Sequence, residues 1–306
     1  MEVLRFDTFD EAAIVLASRL DTLGTYVNTP RTSEFKELRN LAYTVLQPRG
    51  RILHLKSMGQ SRIWAYCEVL TEFLGLNPPL TESYGNTETR KFLASFHRGD
   101  GRANYTYGER WHVNSAFQKI LRRLQDDRYS RQAVMNIWDS SLDLDPDETN
   151  VPCTIMHQFL IRADAVGNDY LHTNVYMRSN DFFKGWKYDI FLNSFIAEAF
   201  AGALNCEVGD ITFFVGSFHV YTNEYARLRL FNMTDWNTAT YSEFIPFRLP
   251  FENLYEQLWA VKRVEEVSRF NTVPLGVLEN LHPHFRKWAA DFIDYNNRRV
   301  LNAPNE

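Results

Sequence analysis

The chain has 306 residues, of which 45% are hydrophobic, 15% aromatic and 23% charged, enough to bury a large core and to exclude a disordered chain. With 33 Lys and Arg against 38 acids the net charge is −5, which excludes a general phosphate-backbone binder, so no nucleic-acid partner is expected. Three cysteines exclude a disulfide scaffold and fit a reducing, cytoplasmic setting. Met1–Asp10 has no basic segment followed by an apolar one, and no stretch reaches the roughly 18 apolar residues of a membrane span.

In chain order, the apolar spacing of Ala13, Leu16, Leu20 and Leu23 predicts a helix over 10–23, with Thr8 or Asp10 as its cap. A second helix is predicted over 63–74. The runs 133–138, 154–162, 171–177 and 211–221 are rich in β-branched and aromatic residues and read as strands. Between the last two, 191–204 is too long and too Ala-rich for a strand and reads as a buried helix. Helices follow over 252–270 and 283–295, the latter with Pro283 in its first turn. No linker or repeat divides the chain, and helices and strands mix without strict βαβ alternation. The expectation is one α+β domain over 1–306 with a large, mostly buried sheet.

Several motifs fail on inspection. Gly99-Asp100-Gly101 lacks the third glycine of a dinucleotide fingerprint and has no strand before it. Asp143, Asp145 and Asp147 begin like a calcium loop, but Glu148 and Thr154 replace its turn glycine and bidentate glutamate, leaving a solvated acidic loop. No Cys/His spacing suits zinc, so no metal is expected.

One set of residues carries chemistry. Cys153 follows Pro152 at the start of a strand, where an arginine nearby would favour its thiolate. Arg178-Ser179 offers a guanidinium fork and a hydroxyl suited to a phosphate. His219 and Tyr221, two apart on a strand, share a face. Cys67 and Cys206 fall in helix-like apolar surroundings and read as small buried hydrophobes.

Taken in order, Pro152-Cys153, Arg178-Ser179-Asn180-Asp181, Gly185-Trp186-Lys187-Tyr188-Asp189 and Gly216-Ser217-Phe218-His219-Val220-Tyr221 resemble the thymidylate synthase family. Tyr105-Thr106-Tyr107-Gly108-Glu109-Arg110-Trp111 looks like that family's Tyr-Gly-x-x-Trp segment. Glu68 matches its catalytic glutamate, with Glu72 as a rival, and Arg31 its N-terminal phosphate arginine. The resemblance implies a thymidylate synthase-like fold and 5,10-methylenetetrahydrofolate as co-substrate. It implies Cys153 as nucleophile, Glu68 as organiser of water and protons, and Tyr107 as helper in the loss of the C5 proton. Arg31, Arg131, Arg178 and Ser179 would hold the phosphate, His219 and Tyr221 the 3′-hydroxyl, and Asp181 would approach the folate. Because the arginine matching Arg131 reaches in from the other subunit, a homodimer is implied; Gln132 replaces the second arginine of that pair.

The departures point to a branch. Asp189 stands where synthases have the asparagine that pairs with uracil, and cytosine reverses that donor and acceptor pattern. Met177 before Arg178, Asn180 after Ser179 and Thr154 after Cys153 are also shared with the phage deoxycytidylate hydroxymethylases. The expectation is therefore 5-hydroxymethylation of a cytosine nucleotide, dCMP first. The alternatives are a CMP hydroxymethylase of the nucleoside-antibiotic kind, a thymidylate synthase acting on dUMP, and an inactive nucleotide-binding paralogue. The polar end of the chain, 300–306, is unlike the apolar tail that synthases close over the folate.

Overall fold

The computed structural model describes residues 3–30, 32–79, 84, 100–113, 115–145, 150–233, 245–274 and 276–301. In chain order the strands are β1 Leu4–Phe6, β2 Thr25–Val27, β3 Phe35–Val45, β4 Val134–Asn136, β5 Thr154–Ala163, β6 Asp169–Asp181 and β7 Glu207–Tyr221. The helices are α1 Phe9–Leu23, α2 Arg62–Leu74, α3 Tyr107–Val113, α4 Ala116–Asp126, α5 Ser140–Asp143, α6 Trp186–Ala203, α7 Tyr225–Met233, α8 Phe251–Ser268, α9 Gly276–Glu279 and α10 Pro283–Leu301.

The strands form one mixed sheet in the order β1-β3-β7-β6-β5-β4, with β2 also on β3. Its centre is the parallel pair β6 and β7, joined by α6 as the crossover that parallel strands require. Alternation along the strands gives the sheet two unlike faces. Phe159, Ile161, Leu171, Val175, Phe213 and Val215 are buried under helices. On the other face Gln158, Leu160, Asn174, Tyr176, Thr212 and Phe214 are only half-buried, with Tyr176 and Phe214 stacked at 4.7 Å.

Local chemistry sets the helix ends. Thr8 caps α1, its hydroxyl accepting from the Glu11 amide at 3.2 Å. Ser61 does the same for α2 from Trp64, and Gly75 ends that helix in the left-handed conformation, φ 64°. α6 is buried almost all round, as its apolar sequence demands, and carries the buried ion pair of Glu198 with Arg51 at 2.9 Å. The α+β architecture, with a large mixed sheet packed by helices, is as expected.

Two expectations need correction. The strand read over 133–138 spans only Val134–Asn136. Asp143 is buried, not solvated: it accepts from Arg110 at 2.7 Å and from the Asp139 amide at 2.8 Å, closing the short helix α5. Asp145 is exposed, and Asp147 and Glu148 lie outside the described residues.

Candidate active site

Cys153 ends the segment that enters β5, and Arg178 on the neighbouring strand β6 holds it there. The Arg178 guanidinium donates from Nε to the Pro152 carbonyl and from Nη2 to that of Val151, each at 2.9 Å. The same Nη2 stands 3.8 Å from the Cys153 sulfur. A cation fixed by two carbonyls therefore faces the thiol, the arrangement in which a thiolate is favoured. From the helix side the Tyr107 hydroxyl, at the start of α3, accepts from the Thr154 amide at 3.4 Å. Burial first, then Tyr105, Cys153 and Asp189, keep the Tyr107 proton on well above the usual range.

The two glutamates of α2, four residues apart, do different work. Glu72 turns to the backbone, accepting from the Gly108 amide at 2.5 Å. Burial pushes its carboxyl up to about 8. A Cβ at Gly108 would fall inside the Glu72 carbonyl, so glycine is required for α3 to approach α2 this closely. Glu68 has its Oε2 buried with no hydrogen-bond partner among the described residues. Its carboxyl is held well above the usual range by burial, then by Asp189, then by Glu72.

Asp189 lies in the first turn of α6, where the helix dipole favours a carboxylate. Burial outweighs that and, with Asp181, pushes its carboxyl up to about 7. Its Oδ2 borders the space left by Gly185, 3.0 Å from where a Cβ would stand, and the Oδ1 of Asn180 is 3.6 Å from the same point. Asn180 donates to the Met177 sulfur at 3.1 Å and leaves that Oδ1 buried without a partner among the described residues. Behind α6, Asn193 donates to the Asp189 carbonyl at 2.7 Å and bonds the buried His157 of β5 at 2.5 Å, fixing the helix to the sheet.

At the ends of β6 and β7, Asp181 stands opposite His219. Asp181 accepts through Oδ1 from the amides of Phe183 and Lys184 at 2.9 Å each, while its Oδ2 is buried without a partner among the described residues. Burial raises the Asp181 carboxyl and lowers the His219 imidazole. Tyr221 shares the face of His219, the rings meeting edge-on at 5.2 Å, and the Lys184 ammonium lies 4.5 Å over the Tyr221 ring. Ser179 is half-buried on β6 beside Ser217 of β7.

The fold thus brings together Cys153, Arg178, Tyr107, Glu68 and Asp189, with Asn180, Asp181, His219, Tyr221 and Ser179 along the neighbouring strand ends. It leaves Arg131 apart, exposed on the segment before β4 at the sheet's edge, where its carbonyl accepts from Gln158 at 3.1 Å. Arg31 and residues 302–306 lie outside the described residues. Sequence reasoning placed Tyr105 in the segment around Tyr107 but gave it no role, and it missed Asn193, which gave no signal until α6 was placed against β5. Among the described residues no group of His, Cys, Asp or Glu could hold a metal ion, and no helix is long and apolar enough to cross a membrane.

A cavity of about 250 Å³ adjoins Glu68, walled by Trp64, Tyr105, Thr106, Pro78 and, from α8 and the residue that caps its end, Lys262 and Arg269. Mostly apolar, with aromatic walls and the carboxyl residues Glu68, Glu72 and Glu265 in its lining, it suits a flat heteroaromatic ligand with polar edges. A family model, Thymidylate synthase, matches residues 28–235. The chain belongs to the thymidylate synthase family. Similar proteins include a "Putative thymidylate synthase" of Methanothermobacter marburgensis, 25% identical over 222 residues, covering 70% of this chain and 91% of that one. A "Putative thymidylate synthase" of Methanosarcina acetivorans is 27% identical over 206 residues, 58% of this chain and 92% of the relative. The "Thymidylate synthase" of Lactococcus lactis subsp. cremoris is 25% identical over 182 residues, 60% of this chain and 61% of that protein. The thymidylate synthase family is one of folate-dependent one-carbon transferases that bind a pyrimidine nucleotide and use methylenetetrahydrofolate as co-substrate. The helices α8, which helps to wall the cavity, and α10, which with α8 covers α2, lie beyond the part of the chain that the family model matches.

Proposed function

We propose that this protein transfers a one-carbon unit from 5,10-methylenetetrahydrofolate to C5 of a cytosine nucleoside monophosphate and completes the reaction with water, giving a 5-hydroxymethyl nucleotide and tetrahydrofolate. The observation that carries the reading is Asp189, a buried carboxyl pushed up to about 7 at the position where the family reads the base. A neutral carboxyl there accepts from the 4-amino group and donates to N3, the pattern of cytosine and not of uracil.

In this reading the Cys153 thiolate adds to C6 and the displaced electron pair makes C5 a nucleophile. Methylenetetrahydrofolate supplies the methylene carbon that C5 attacks. Loss of the C5 proton, assisted through Tyr107, and cleavage of the carbon–nitrogen bond leave an exocyclic methylene on the pyrimidine and release tetrahydrofolate. Water oriented by Glu68 gives up a proton as its oxygen adds to that methylene, the electron pair reforms the C5–C6 double bond, and the Cys153 thiolate leaves. Asp189 steadies the charge that develops across N3 and the amino group. Arg178 and Ser179 hold the phosphate with Arg31, and His219 and Tyr221 hold the sugar's 3′-hydroxyl. Glu68 is preferred to Glu72 because the latter is committed to the Gly108 amide.

The test of this ending is the folate product. Turnover should give a 5-hydroxymethyl nucleotide by mass and a flat dihydrofolate absorbance trace. A 5-methyl product with an equal rise in dihydrofolate would mean that hydride, not water, completes the reaction.

Two features support a homodimer, with Arg131 completing the neighbour's phosphate site. One sheet face is only half-buried, with Leu160, Tyr176 and Phe214 on it, and Arg131 lies exposed, away from its own Cys153. A second copy seated on that face would bury it and bring the arginine across. Mixing Cys153→Ala with Arg131→Ala protein should then restore up to about a quarter of normal turnover, since half the dimers are mixed and carry one intact site. No recovery, with subunit exchange verified, would exclude the shared site.

A further inference from the structure

His219 has a carboxylate on each side. Asp181 stands opposite it on β6, and Glu37 stands opposite it on β3. The family resemblance accounts for Asp181 and leaves Glu37 without a role. Asp181 is engaged by the Phe183 and Lys184 amides. Glu37 is half-buried and accepts from the Ser217 hydroxyl through Oε2 at 2.5 Å, while its Oε1 makes no hydrogen bond among the described residues.

Residues directly opposite in an antiparallel pair share a face, as do residues two apart on one strand. Ser217, His219 and Tyr221 therefore lie on the same face as Glu37 and Phe35, which stand opposite His219 and Tyr221. The Phe35 ring touches both, with centroids 5.3 Å from His219 and 6.1 Å from Tyr221. The patch offers aromatic surface and, beside the imidazole, a carboxylate that can only accept. Sugar hydroxyls donate, and vicinal ones are what an ionised acceptor next to a histidine would grip together.

We propose that Glu37, held by Ser217 beside His219, accepts from the sugar's 2′-hydroxyl, so that the site recognises a ribonucleotide through this contact. The inference rests on the reading of this region as the nucleotide site, and it deepens that reading by naming the sugar. It bears on CMP against dCMP without depending on which base Asp189 selects.

The experiment is equilibrium binding of CMP, dCMP, UMP and dUMP to the unaltered protein and to Glu37→Ala and Glu37→Gln. Loss of a hydrogen bond to a charged group should lower the ratio of ribo- to deoxyribonucleotide affinity by roughly tenfold to a hundredfold in the alanine variant. Glu37→Gln keeps an acceptor for Ser217 and protects the fold, and should move the ratio in the same direction. An unchanged ratio in both variants would overturn the inference, as would failure of the unaltered protein to bind either ribonucleotide. If the uracil pair binds and the cytosine pair does not, the base assignment fails alone, and the Glu37 ratio is read on UMP and dUMP.

Discussion

Cys153→Ala is expected to abolish turnover, by roughly 10⁴-fold or more, while the protein still folds and binds nucleotide. The loss is large because addition at C6 is what makes C5 reactive, and no neighbouring group can replace the sulfur. The fold should survive because Arg178 holds the segment by the carbonyls of Val151 and Pro152, neither of which involves the thiol. The measurements are turnover, calorimetric nucleotide binding and thermal unfolding on the same preparation. Turnover above roughly a tenth of the unaltered protein's would place the nucleophile elsewhere.

Asp189→Asn should move preference from cytosine toward uracil nucleotides, changing the ratio of their kcat/KM values by roughly 10²- to 10⁴-fold. The Asp189 carboxyl is buried, so a base edge mispaired against it would lose a hydrogen bond that water replaces poorly. A pH dependence accompanies the switch. With its carboxyl pushed up to about 7, Asp189 is neutral below that pH and ionised above it. If the neutral form reads cytosine, kcat/KM falls as pH rises through about 7, and that limb disappears in the asparagine variant on a uracil nucleotide. A profile rising through the same pH would assign base reading to the carboxylate instead. Equal loss on both bases would make Asp189 structural and remove the case for cytosine.

Much of the architecture was legible because its signals were local. The helices α1, α2, α6, α8 and α10 announced themselves by apolar period, length or a leading proline, and β5 to β7 by their β-branched and aromatic runs. β3 was not. Its first half, Phe35-Lys36-Glu37-Leu38-Arg39-Asn40, carries alternating charges on a half-exposed face and reads as surface; only pairing with β7 makes it a strand. β1 and β2 have three residues each and exist only because β3 does. α4 could have been found: Phe117, Ile120, Leu121 and Leu124 have clear helical spacing. At the site, motif order found the residues whose chemical type is unusual for its position. It could not separate Glu68 from Glu72, because two glutamates four positions apart on one helix face differ only in what tertiary packing sets against them. Glu37 was invisible for the same reason as its strand.

The sheet's wiring also dictates when the site can come into being. Glu37 sits near the start of the chain, Cys153 and Arg178 in the middle and His219 beyond them, and β3 is held in register by β7 along nearly its whole length. Such distant pairings are slow to close, because the intervening chain must surrender its freedom before the ladder forms. During synthesis no nucleotide site exists until β7 has emerged, and α2 stays bare on the side of α8 and α10 until the last helices arrive. A ligand that needs all three strands binds only the finished molecule, so it should act as a late clamp on folding and not as a template for its early steps.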